Sequence, residues 1–105
     1  MITACLRPSY KQDKKYTVTV ILEDGTKKTI HFGSAGMSDY TIHKDYERMK
    51  RYENRHKARE DWTISGITSA GFWAKWILWN KPDFTESVKS TSKKFHIRII
   101  FSDTE

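Results

Sequence analysis

The sequence predicts an α+β domain: an antiparallel sheet of three or four strands, made of an N-terminal hairpin plus a C-terminal strand, packed on two or three short helices. Three observations predict it. Residues 16–22 (YTVTVIL) and 26–32 are rich in β-branched and aromatic side chains and flank Glu23-Asp24-Gly25, as a hairpin does. Residues 96–102 (HIRIIFS) alternate Ile97, Ile99 and Phe101 in the manner of a strand. Between them lie two stretches of helical character, one almost wholly charged and one almost wholly apolar. The 105 residues fit one domain spanning 1–105. Only 37% of them are hydrophobic, so a few large side chains must fill a thin core.

The elements follow in order. The opening ITACL alternates Ile2, Ala4 and Leu6 and qualifies as a fourth strand, while the basic run RPSYKQDKK reads as a loop, making residues 1–15 a candidate basic arm. The hairpin register can be derived. A two-residue Asp24-Gly25 loop would put Ile30 and Phe32 on the opposite face from Val18 and Val20. A three-residue loop pairs Val18 with Ile30 and Tyr16 with Phe32, so all apolar side chains face one way. That demands a bulged turn with Gly25 in the left-handed region. Residues 33–42 form a loop whose Ser38, Asp39 and Thr41 are candidate helix caps.

A helix is expected from about Ser38–His43 to Arg59. It carries only a narrow stripe of Tyr46, Met49, Tyr52 or Glu53, and His56. Trp62 anchors the loop after it, with Arg55 expected to reach Asp61. Ser69 caps a helix 70–79 whose Phe72, Trp73, Trp76, Ile77, Leu78 and Trp79 cannot share one face at about 100° per residue. Asn80 is the expected left-handed terminator ahead of Pro82. Asp83 caps a last helix, about 84–94, with Phe84, Val88 and Phe95 toward the core.

Several function classes are excluded or left without support. No apolar run approaches the roughly 20 residues of a membrane span. The single Cys5 forms no internal disulfide and points to a reducing compartment. His43-Lys44-Asp45 lacks the spacing of the phospholipase D triplet. The Gly33-Ser34-Ala35-Gly36 stretch lacks the Lys-Ser/Thr of a phosphate loop. His56 and Glu60 stand at ligand spacing but have no further ligands. The chain is therefore expected to be non-enzymatic, with no cofactor and no metal.

Two surfaces suit partners. Residues 43–59 hold seven Lys/Arg against three acids, and Lys44, Arg48, Arg51, Arg55 and Arg59 form a candidate site for nucleic acid or an acidic protein. The same helix also reads as a solvated face with intrahelical pairs such as Glu47 to Arg51. Trp73, Trp76 and Trp79 are candidate docking aromatics. They also read as core under the sheet.

Residues 32–90 carry a pattern of their own. It comprises Phe32, Gly33, Gly36, Ser38, Asp39, Tyr40, Thr41, His43, Lys44 and Asp45, then Arg48, Tyr52, Arg55, His56 and Trp62, then the block 70–82 (AGFWAKWILWNKP). This resembles a small protein family encoded by nucleocytoplasmic large DNA viruses. The resemblance implies a viral origin and supplies no reaction. It leads to the expectation of a structural component of a large DNA virus particle, a minor capsid or cementing protein contacting other virion proteins. The location is then the virion, after synthesis in the host cytoplasm or nucleus. The alternative is a virion-core or host-directed nucleic-acid-binding protein that uses the basic helix.

Overall fold

A computed structural model describes residues 1–103. It is α+β, with a four-stranded sheet in the order β3-β2-β1-β4. The strands are β1 (Thr3–Pro8), β2 (Lys14–Ile21), β3 (Lys27–Ser34) and β4 (Arg98–Phe101). The hairpin register is the derived one: Tyr16 faces Phe32 and Val18 faces Ile30. Gly25 has φ +89°, its N–H donates to the Leu22 carbonyl, and the Leu22 N–H donates to the Thr26 carbonyl.

The sheet is mixed, which corrects the antiparallel expectation. β1 runs antiparallel to β2 but parallel to β4. The segment 1–15 is not an arm either. Ala4 and Leu6 are buried, β1 lies between β2 and β4, and only residues 9–13 form the turn into β2. The alternation of Ala4 and Leu6 was the decisive signal, and it outweighs the basic residues beyond it.

The helix expected to run on to Arg59 is two helices. α1 (Tyr40–His43) has Asp39 as its N-cap, and α2 (Tyr46–His56) has Asp45. Lys44 separates them at φ +56°. Asp45 bonds the backbone N–H groups of Glu47 and Arg48, so a second cap restarts the helix at a new angle.

After a 3₁₀ turn (Ile64–Gly66), α3 (Ala70–Trp73) begins at its Ser69 cap and widens into a π turn, Ala74–Leu78. That widening answers the crowding of the apolar segment. Phe72 and Ile77, and Trp73 and Leu78, are five residues apart, which is the repeat of an i→i+5 turn. All four are buried. Asn80 is not left-handed, because the π turn ends the helix at Trp79 in an irregular conformation. α4 (Phe84–Phe95) has the expected Asp83 cap, and left-handed His96 leads into β4.

The core lies between one face of the sheet and the α3, π-turn and α4 layer. Leu6, Val18, Val20, Ile30 and Phe32 meet Phe72, Trp73, Ile77 and Leu78 there. No helix among the described residues is long and apolar enough to cross a membrane.

Candidate functional site

α2 has few apolar side chains, so its attachment is informative. Met49 and Tyr52 are buried, and the Tyr52 ring stacks on Trp79 at 4.2 Å and 2°. His56 stacks on Tyr52 at 4.3 Å. Glu53 meets Lys75 of the π turn at 2.7 Å and Lys50 at 3.0 Å. Lys75 also lies 4.8 Å from the Trp76 ring centre and 5.5 Å from that of Trp62.

These anchors determine what α2 leaves outside. Glu53 is turned inward, so it does not neutralise the arginines. Arg48, Arg51 and Arg55 fall within about 60° of the helix circumference, and all three are exposed. None of them forms an ion pair among the described residues, and the expected Glu47–Arg51 and Arg55–Asp61 pairs are absent. Asp61 instead accepts from Thr63. Lys44 stands apart from the row, since its ammonium donates to the carbonyls of Thr41 and Pro82. Arg59 lies beyond the end of α2, in the following turn.

The tryptophans are used differently from a docking patch. Trp73 is fully buried and its indole N–H donates to the Ile67 carbonyl, which removes it from any surface. Trp76 donates to the Trp62 carbonyl and Trp79 is covered in part by Tyr52. Their partial burial makes them struts between helices.

Beside the C-terminal half of α2 is a cleft of about 300 Å³. The end of β3 and the loop after it supply one wall, with Ser34 and Ser38. The π turn supplies another, with Ala74, Leu78 and Trp79, and Tyr52, Arg55 and His56 complete it. Lys15 of β2 reaches in and pairs with Asp39, which is 2% exposed and also holds the N–H and hydroxyl of Thr41. Gly33 has φ +79°, and a Cβ there would lie 2.8 Å from Leu78 Cδ1, so only glycine lets the strand end approach the π turn. Gly36 is also left-handed, but a Cβ there would meet nothing, so it serves the turn alone.

Burial, helped by the charge of Glu60 and opposed by Arg55, pushes the Tyr52 hydroxyl up to about 12, so it stays protonated. His43 lies at the junction of α1 and α2 and accepts from the Asp45 N–H at 2.9 Å. Burial, with Arg48 nearby, holds its pKa below the ordinary value. His56 and Glu60 gain no third ligand, and no three His, Cys, Asp or Glu side chains converge among the described residues.

Sequence reasoning singled out Arg48, Arg51 and Arg55, and the structure sets them in one row. It did not single out Lys15 or Ser34, and Ser38 and Asp39 were read as helix caps. Their meeting depends on how the loop after β3 folds onto β2. A buried capping aspartate opposite a basic strand start was the available clue. No curated protein and no solved structure matches the chain. A family profile matches residues 4–56, the stretch holding the sheet's first three strands, the Lys15–Asp39 pair and the whole arginine row, and by that match the chain belongs to a family of unknown function, DUF5754.

Proposed function

We propose that the protein is a non-enzymatic binding protein whose α2 arginine row engages the phosphates of nucleic acid. One observation carries this: Arg48, Arg51 and Arg55 project together, and no carboxylate among the described residues pairs with them. Guanidinium groups suit phosphate, and a net charge of +6 favours approach to a polyanion. The resemblance of residues 32–90 to proteins of nucleocytoplasmic large DNA viruses supports a setting in which packaged DNA is that polyanion.

A second role, as a minor capsid or cementing protein, is favoured by a different observation. Met37, Ile42 and Tyr46, around α1, are each more than half exposed. Such apolar side chains suit a protein contact. Trp73, being fully buried, adds nothing to that contact.

The test is fluorescence anisotropy with labelled DNA at low salt. The triple variant Arg48→Glu, Arg51→Glu, Arg55→Glu is expected to lose roughly tenfold or more in affinity. Unchanged affinity in a folded triple variant would remove the nucleic-acid assignment and leave the particle-protein one.

A further inference from the structure

We infer that the cleft beside the arginine row receives one unpaired base, so that the protein selects single-stranded or locally open nucleic acid over duplex. This rests on the nucleic-acid role proposed above and names the form of nucleic acid it would take.

The cleft and the row share Arg55. A strand whose phosphates follow the row therefore passes the mouth of the cleft. The interior is suited to a base rather than to a second phosphate. Its walls are largely apolar, from Ala74, Leu78 and Trp79, and its one deep cation, Lys15, is already matched by Asp39. At about 300 Å³ it is at the small end of ligand sites.

The polar groups around it retain hydrogen-bonding capacity. The side chains of Ser34, Ser38, Arg55 and His56 make no hydrogen bond among the described residues. Three other serines are committed to carbonyls: Ser69 to Gly66, Ser87 to Lys81 and Ser92 to Ile97. Lys15 uses one of its three N–H donors on Asp39. Two hydroxyls and a lysine thus face a space with apolar walls, which suits the polar edge and apolar body of a single base. A paired base has its edge occupied and cannot enter. Met37, exposed at the rim, has the flexible thioether that suits closing over whatever enters.

The experiment compares a short fluorescein-labelled oligothymidylate with the same strand annealed to its complement. The expected result is at least about tenfold tighter binding of the single strand. Ser34→Phe, which plugs the cleft from an exposed position, is expected to abolish that preference. Ser38→Ala, a milder change, should reduce it. Circular dichroism melts establish that both variants fold.

A second readout needs no variant. An oligonucleotide carrying 5-iodouracil, irradiated in the complex and mapped by mass spectrometry, should crosslink to Met37, Tyr52, His56 or Trp79. Equal affinity for both probes, or crosslinks confined to residues away from the cleft, would overturn the inference while leaving the arginine-row role standing. Binding of neither probe would overturn both.

Discussion

Two glycines share a left-handed backbone yet do different work. Gly25 at φ +89° closes the β2–β3 turn with open space where a side chain would go, whereas Gly33 at φ +79° abuts Leu78. Alanine at Gly25 meets only backbone strain, about 1–2 kcal/mol. Alanine at Gly33 meets the same strain and must also displace a buried leucine on the cleft wall. Gly33→Ala is therefore expected to lower the urea midpoint further than Gly25→Ala, and the opposite ranking would contradict this account of the close approach. The difference also marks what the sequence reveals at this scale. Gly25 was legible because its demand is local: the alternation of Val18, Val20, Ile30 and Phe32 allows only one loop length. The close approach of Gly33 to Leu78 was not legible, because nothing near Gly33 in the chain names that partner.

At the scale of the element, α2 shows how a helix with scarcely any apolar face is held. Burial of Met49 and Tyr52 is supplemented by one ion pair, Glu53–Lys75, that ties it to the π turn. Glu53 was read only as a possible member of a narrow stripe, and nothing in the sequence paired it with Lys75. Their pairing was hidden because it depends on the π turn, whose five-residue repeat brings Lys75 inward beside Trp62 and Trp76. Burial raises the pKa of Glu53, but the hydrogen bonds and charges of Lys75 and Lys50 lower it more, leaving it below 4.5. A depressed carboxylate pKa contributes stability above the unfolded value, and that contribution is lost as pH falls through the folded value. Glu53→Gln is expected to lose about 1–3 kcal/mol at neutral pH. Its unfolding free energy should also change less than the parent's as pH drops below about 4.5. Denaturant titrations across that range measure both, and parallel curves for parent and variant would show that the pair does not hold α2.

At the scale of the whole molecule, the family-matched stretch and the folding unit are not the same thing. Residues 4–56 supply β1, β2, β3, α1 and α2, but not what covers the sheet. The face formed by Leu6, Val18, Val20, Ile30 and Phe32 is closed by Phe72, Trp73, Ile77, Leu78 and Ile97, all from the second half. Each large side chain in that layer contributes about 1.5–3 kcal/mol through burial. A domain of this size has only about 5–15 kcal/mol of net stability. Losing the layer therefore removes an amount comparable to the whole net stability. β1 would lose β4, its parallel neighbour, and α2 would lose its partners Lys75 and Trp79. The arginine row depends on those attachments for its direction, even though every arginine in it lies inside the matched stretch. A fragment ending at residue 60 is thus expected to show no cooperative thermal transition and no native near-ultraviolet circular dichroism, whereas the full chain shows both. A fragment that melts cooperatively would mean that the sheet, α1 and α2 find another way to bury that face, and the second half would then be an addition to the fold rather than its second layer.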